Sequence, residues 1–123
     1  MRSILLSAAV ALSALAAPAY AHPKLLSASP AANATVAAPA RITLRFSEAL
    51  IAKFSGAEVA MTGHAGMAHG SMPVAATSAV DADGRTLVLT PKSALMPGQY
   101  TVTWHVVSSD THRITGSVAF TVR

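Results

Sequence analysis

Histidine, methionine and a few carboxylates are the residue types in this sequence that could do chemistry, and His22 comes first among them. It follows Ala19-Tyr20-Ala21, a small-residue pattern that ends a segment with Arg2 near its start and an apolar run over residues 4–17. This layout is typical of a secretory signal peptide, which is removed on export. We therefore predict that residues 1–21 are cleaved after Ala21 and that His22 becomes the mature amino terminus.

An amino-terminal histidine offers two nitrogen donors, its α-amine and its imidazole, which can close a chelate ring around one metal ion. In the precursor that amine is a peptide nitrogen and cannot ligate, so export and metal binding would be coupled. Asp110 and His112 occur further along the chain, and in an extended segment residues i and i+2 point the same way. With His22 they give three nitrogens and one oxygen, a set that suits Cu(II), with zinc as the ordinary competitor. Without His22, a turn-forming Asp110 and a solvated His112 would be the simpler interpretation.

A second and softer set of donors lies between residues 61 and 72. Five of these twelve residues are thioethers or imidazoles, interleaved with three glycines, and they are Met61, His64, Met67, His69 and Met72. Thioether sulfur prefers Cu(I), and imidazole accepts copper in either oxidation state, so we predict a Cu(I) site on a flexible loop. Two alternatives stay open: methionines that fill gaps in a core, and a histidine-rich site for a divalent ion, which would leave the methionines unexplained.

The composition limits what else the protein could be. Residues 22–123 number 102 and carry a formal charge of +3, from eight Lys and Arg against five Asp and Glu, which fits one small domain. The basic residues are scattered and form no stripe with aromatic residues in it, which argues against binding of nucleic acid. The chain has no cysteine, so disulfides and thiolate metal sites are excluded and any soft ligand must be methionine. No second apolar segment approaches the ~18 residues of a membrane-spanning helix.

The elements that must position these donors are predicted to be short strands separated by turns. Period-two alternation predicts strands over residues 41–46, 99–107 and 118–122, and a β-rich run over 86–90 follows a turn at 81–84. Residues 95–100 resemble a tyrosine corner, a feature of Greek-key sandwiches. We predict an all-β, immunoglobulin-like Greek-key β-sandwich or barrel of about seven strands, with His105 on the sheet exterior and not among the first-choice ligands. A helix of about two turns over 47–54 is the competing interpretation of that segment.

At this point the sequence resembles the CopC family of periplasmic copper-resistance proteins, over essentially all of residues 22–123. The resemblance rests on His22-Pro23-Lys24-Leu25, on Phe46-Ser47-Glu48, on the Met/His segment, and on Trp104 with residues 106–112 and 114–118. It implies a small Greek-key protein that binds copper in the periplasm, often at separate Cu(I) and Cu(II) sites at opposite ends.

Carried over residue by residue, the resemblance also implies two ligand sets. The Cu(II) set is His22, Asp110 and His112, with Glu48 as a nearby or axial oxygen. The Cu(I) set is drawn from Met61, Met67, His69 and Met72, and His64 stands where better-known members have another methionine.

Two functions are compatible with these donors. The first is a monomeric periplasmic carrier or chaperone for copper resistance or homeostasis, whose implied partner is an inner-membrane copper transporter or another periplasmic copper protein. The second is a copper-dependent oxidoreductase, because an amino-terminal histidine chelate also occurs in copper monooxygenases that attack polysaccharides. About 100 residues leave little room for an extended substrate platform, and Asp110 as an anionic ligand should favour Cu(II) over reduced copper. We therefore expect a protein that is not an enzyme.

Overall fold

The computed structural model describes residues 22–63 and 70–123, so the predicted signal peptide lies outside the described residues. Within these ranges the chain forms one 3-10 turn, at Ala52–Phe54, and nine strands. The strands are β1 (Leu25–Ser29), β2 (Thr35–Val36), β3 (Ile42–Phe46), β4 (Gly56–Gly63), β5 (Met72–Val74), β6 (Ala76–Val80), β7 (Thr86–Pro91), β8 (Gly98–Val107) and β9 (Arg113–Val122). The described residues contain no helix that is both long and apolar enough to cross a membrane.

The strands form two open sheets that pack face to face. One sheet has the order β1-β3-β7-β6, and the other has the order β2-β9-β8-β4-β5. Every pairing is antiparallel except that of β2 with β9. The prediction of an all-β sandwich is confirmed, and neither sheet closes into a barrel. The described strands outnumber the seven predicted because β2 and β5 have only two and three residues, too few for alternation to be recognised.

The core lies between the sheets and is built from alternate residues of the long strands. In β8 the buried residues include Tyr100, Val102 and Trp104, while the threonines between them face outward. Strands β3 and β9 repeat the pattern with Ile42, Leu44, Phe46, Val118, Phe120 and Val122. A period of two places successive side chains on opposite faces of a sheet, so these residues form one continuous apolar layer.

Small residues on the neighbouring strands make room for the indole of Trp104. Ala57 and Gly116 flank Trp104 in the register of β4, β8 and β9. A Cβ atom added at Gly116 would lie 2.2 Å from Cζ2 of Trp104, so only glycine allows the ring to lie across β9. The ring also meets Phe46 of the other sheet edge-on, with the ring centroids 4.9 Å apart. Trp104 thereby joins the two sheets near the end at which β8 finishes.

Backbone contacts explain two local features of the fold. The phenol of Tyr100 donates a hydrogen bond to the carbonyl of Met96 at 2.6 Å, which is the predicted tyrosine corner. The competing helix over residues 47–54 is wrong apart from the 3-10 turn. Its amides bond elsewhere, because the amide of Leu50 donates to the carbonyl of Gly84 and that of Ile51 to the carbonyl of Val107. These bonds attach the segment to both sheets and leave too few amides for a helical ladder.

Candidate metal centre

Three of the predicted Cu(II) ligands meet at one end of the sandwich. His22 precedes β1, and Asp110 and His112 lie in the loop between β8 and β9. Each of the three offers one ligand atom, and these atoms all lie within 4.8 Å of one another. Residues 88 positions apart in the sequence are thus brought to one point.

The ring nitrogens of both histidines approach the same carboxylate oxygen. Nδ1 of His22 lies 2.9 Å from Oδ2 of Asp110, and Nδ1 of His112 lies 3.6 Å from that oxygen. The two imidazole rings are 5.3 Å apart between centroids and tilted by 45°. Nδ1 is also the imidazole nitrogen that closes a six-membered chelate ring with the α-amine of an amino-terminal histidine. The nitrogen that faces Asp110 is therefore the one such a chelate would use.

The loop between β8 and β9 holds Asp110 through a turn. The hydroxyl of Ser108 and the amide of His112 both donate to Oδ1 of Asp110, at 3.0 and 3.1 Å. The amide of Thr111 donates to the carbonyl of Ser108 at 2.9 Å. Thr111 has a φ of 65°, a left-handed conformation that is unfavourable for a β-branched residue. Oδ1 is thus occupied by the loop itself, and Oδ2 is left to face the two imidazoles.

This geometry corrects the reason given for the pairing of Asp110 with His112. The two side chains converge as expected, but residues 109 and 110 lie in a turn and not in an extended strand. The sequence reasoning also missed Ser108, whose side chain is buried beneath the carboxylate and is 3% exposed. The available sequence signal was a serine two positions before an aspartate, a spacing at which the hydroxyl can reach the carboxylate.

The electrostatics of the cluster favour an ionised carboxylate. Loss of water contact raises the pKa of the Asp110 carboxyl, but the His112 amide, the Ser108 hydroxyl and the two imidazoles lower it by more, so its pKa lies below the ordinary aspartate value. The Asp110 side chain is only 10% exposed, whereas those of His22 and His112 are 51% and 70% exposed. The centre therefore has a fixed anionic base and two imidazoles open to solvent. Two nitrogens and an oxygen of this kind fit a borderline divalent ion such as Cu(II) or Zn(II).

Glu48 and His105 lie outside this cluster. Glu48 is half-buried and follows Ser47. Two hydrogen bonds join Ser47 to the segment after His22: the Lys24 amide donates to the Ser47 hydroxyl, and the Ser47 amide donates to the Lys24 carbonyl. Its carboxylate is not among the ligand atoms that lie within 4.8 Å of one another. His105 is half-buried on the outer face of β8, as expected, and lines a groove with Phe54 and Arg113.

The softer set of donors lies near the opposite end of β8. Met61 is in β4 and Met72 in β5, directly opposite each other in the register, and Met61 is also opposite Tyr100 of β8. The other three predicted donors, His64, Met67 and His69, lie outside the described residues. β8 has ten residues, so its two ends are roughly 30 Å apart at the usual rise of a strand.

The two described methionines occupy different environments. Met61 belongs to the hydrophobic core and is 5% exposed, whereas Met72 is 57% exposed at the edge of the sheet. The expectation that these methionines lie on a loop is therefore wrong for both, because Met61 is in β4 and Met72 is in β5. Met61 fills a core position, as the alternative interpretation suggested. Both residues nevertheless line one apolar groove, so the small exposed part of Met61 faces this groove.

Comparisons with known proteins agree with this architecture. The family model of the CopC domain matches residues 25–123. The chain is 50% identical over 114 residues to copper resistance protein C of Xanthomonas campestris pv. juglandis, covering 93% of this chain and 90% of that protein. It is 53% identical over 106 residues to copper resistance protein C of Escherichia coli, covering 85% and 84% of the two chains.

A solved structure shows the same fold. The crystal structure of PcoC, described as a methionine-rich copper resistance protein from Escherichia coli, superposes with a TM-score of 0.78 at 51% identity. The match covers 84% of this chain and all of that one. The family-model match, the sequence identity to two copper resistance proteins and the shared sandwich lead to one conclusion: this chain belongs to the CopC family.

Proposed function

We propose that this protein is a periplasmic copper carrier that binds Cu(II) at one end of the sandwich and Cu(I) at the other. The observation that carries the proposal is the convergence of His22, Asp110 and His112, whose ligand atoms lie within 4.8 Å of one another. His22 is also the first residue after the predicted cleavage site. The relatives' description as copper resistance proteins supports copper as the ion.

In this proposal, signal cleavage completes the Cu(II) site. Removal of residues 1–21 converts the peptide nitrogen of His22 into an amine. The four ligands are then this amine, Nδ1 of His22, an imidazole nitrogen of His112 and Oδ2 of Asp110. Four donors of types N and O satisfy the tetragonal preference of Cu(II). The hydrogen bonds from Ser108 and His112 to Oδ1 would keep the carboxylate in place while Oδ2 binds the ion. Glu48 would serve as a more distant oxygen.

The Cu(I) site would use the thioethers of Met61 and Met72 together with donors from the predicted set at 64, 67 and 69. Thioethers carry no proton at any working pH, so this site would keep its sulfur ligands where imidazoles begin to protonate. Two sites near opposite ends of β8 and of different ligand type would let one small protein hold copper in either oxidation state. Transfer would then go to an inner-membrane copper transporter or another periplasmic copper protein.

The experiment is a titration of purified residues 22–123 with Cu(II) and, anaerobically, with Cu(I), against chromophoric competitors. We expect one equivalent of each ion. The triple variant Met61→Leu, Met67→Leu and Met72→Leu should lose Cu(I) affinity and keep Cu(II) affinity, and His112→Gln should do the reverse. His105→Gln is the matched control, because His105 is a half-buried histidine outside the cluster. Full Cu(II) affinity in His112→Gln would reject the Cu(II) site.

A carrier and an oxidoreductase differ in turnover. The copper-loaded protein with ascorbate and oxygen should produce peroxide no faster than the His112→Gln variant with the same added copper. Fast, protein-dependent turnover would instead support the copper-dependent oxidoreductase. Gel filtration of the apo and copper-loaded forms should show a monomer, and expression of the full chain should yield a periplasmic product that begins at His22.

A further inference from the structure

Met96 is the methionine that the proposed function leaves without a role. Residues 22–123 contain four methionines, and Met96 alone lies outside the segment 61–72. It is in the loop between β7 and β8 and is 62% exposed, the highest value among the exposed large hydrophobic residues of the described chain. An exposed methionine on a loop is unremarkable by itself, so its position relative to the other thioethers decides its meaning.

A row of neighbouring side chains in the five-stranded sheet leads to the loop that bears Met96. Met72, Met61 and Tyr100 are direct neighbours across β5, β4 and β8. Residues opposite one another in antiparallel strands share a face, with their Cβ atoms about 5 Å apart. The phenol of Tyr100 donates a 2.6 Å hydrogen bond to the Met96 carbonyl. The backbone of Met96 is therefore fixed beside the face that carries the other two methionines.

These residues enclose a groove with the right chemistry for a soft cation. Met61, Met72 and Met96 all line it, together with Val74, Leu95 and the ring of Tyr100, and its volume is about 250 Å³. The loop that bears Met96 forms one wall, and β5 with its continuation forms the other. An apolar lining offers little competition from hard oxygen donors, and a methionine side chain has three rotatable bonds with which to direct its sulfur. Thioether sulfur in such a setting selects Cu(I).

We infer that Met96 is a Cu(I) ligand that approaches the ion from the β7–β8 loop, across the groove from Met61 and Met72. The soft site would then be formed by two separate parts of the chain, and Cu(I) would tie the β7–β8 loop to the edge of the five-stranded sheet. This inference rests on the proposed Cu(I) function and extends it to a residue outside the Met/His segment.

The test uses residues 22–123 with ¹³C-labelled methionine methyl groups, titrated anaerobically with Cu(I) and followed by NMR. Single Met→Leu variants assign the four methyl signals. We expect the Met96 methyl to shift in parallel with those of Met61 and Met72 and to stop shifting at one equivalent. Met96→Leu should weaken Cu(I) binding about tenfold or more, because loss of even an outer partner of a metal ligand typically costs that much. Its melting temperature and Cu(II) affinity should stay unchanged, since the side chain is exposed.

Leu26→Met is the matched control for Met96→Leu. Leu26 lies in β1 and is 60% exposed, so this variant adds an equally accessible thioether on the other sheet. It should not raise Cu(I) affinity, and in the double variant it should not restore what Met96→Leu loses. Restoration by Leu26→Met would show that any exposed thioether suffices and would overturn the assignment.

The remaining outcomes separate this inference from the proposed function. Shifts at Met61 and Met72 with a stationary Met96 methyl would overturn the inference and leave the Cu(I) site intact. A Met96 shift with unchanged affinity in Met96→Leu would show a neighbour and not a ligand. No shift at any methionine would contradict the Cu(I) site itself.

Discussion

Met61 provides the sharpest test of whether the methionines bind copper or only fill space, because the proposed function gives it both roles. It is 5% exposed within the core and also lines the methionine groove. Met61→Leu keeps volume and apolarity and removes the sulfur, and such a swap usually costs less than about 1.5 kcal/mol of stability. Met61→Ala removes the sulfur and most of the side-chain volume, and truncation of a buried methionine costs about 2–5 kcal/mol. Met72→Leu, at a site 57% exposed, should change stability by about 0.5 kcal/mol or less.

The three variants should therefore separate in stability and coincide in Cu(I) binding. Urea unfolding of the apo proteins should rank Met72→Leu, Met61→Leu and Met61→Ala in order of increasing loss. Competition with a chromophoric Cu(I) chelator should show a loss of about tenfold or more for each, because even outer-shell partners of a ligand are worth that much. Cu(II) affinity should not change in any of them.

One combination of results would rule out Met61 as a Cu(I) ligand. If Met61→Leu kept full Cu(I) affinity while Met61→Ala lost stability, Met61 would be a core residue only. The Cu(I) site would then have to be built without it.

Three further predictions address the fold and the Cu(II) site. Tyr100→Phe removes the hydrogen bond to the Met96 carbonyl and should lower the free energy of unfolding by about 0.5–1.5 kcal/mol in a urea titration. Because burial raises the pKa of the Tyr100 phenol, the parent should also lose stability more steeply than this variant as the pH rises above 10. Gly116→Ala places a Cβ 2.2 Å from the Trp104 ring and should cost about 1–3 kcal/mol, with a change in tryptophan fluorescence; an unchanged spectrum would contradict the packing described. Cu(II) affinity should fall as the pH drops from 7 to 5, more steeply than Cu(I) affinity, because protons compete with Cu(II) for the amine and imidazole nitrogens whereas thioethers bind no proton. Asp110, with its lowered pKa, stays ionised, and equal slopes for the two ions would contradict the division of ligands.

The residue pattern predicted β3, β7, β8 and β9, but it missed the edge strands and also β4, which lies inside the five-stranded sheet and buries Ala57, Val59 and Met61. β3, β8 and β9 each bury every second residue over most of their length, so their positions can be predicted from residue type alone. β1 and β6 are edge strands with no fully buried residue, and a strand that faces solvent on most sides carries little periodicity. The segment 47–54 was ambiguous because its amides bond to other segments, which no local pattern reveals.

The ligand types of the candidate Cu(II) centre were predictable, and the way they are held was not. His22, Asp110 and His112 stand out by chemistry and by the predicted cleavage site. The left-handed Thr111 and the buried Ser108 beneath Asp110 depend on a turn whose backbone angles the residue types do not specify. Met96 was overlooked for a similar reason. It shares a groove with Met61 because Tyr100 is paired with Met61 and donates a hydrogen bond to the Met96 carbonyl, which sequence spacing does not reveal.

In the proposed function, cleavage before His22 creates the Cu(II) site. The most direct measurement compares residues 22–123 with the same chain carrying one extra alanine before His22, by Cu(II) affinity and EPR spectrum. The added residue turns the His22 amine into an amide and touches no core residue, so both proteins should fold alike and bind Cu(I) alike. We predict that the extended protein binds Cu(II) far more weakly and gives an altered EPR spectrum. Identical affinities and spectra would contradict the amino-terminal chelate and leave His22 an ordinary surface histidine.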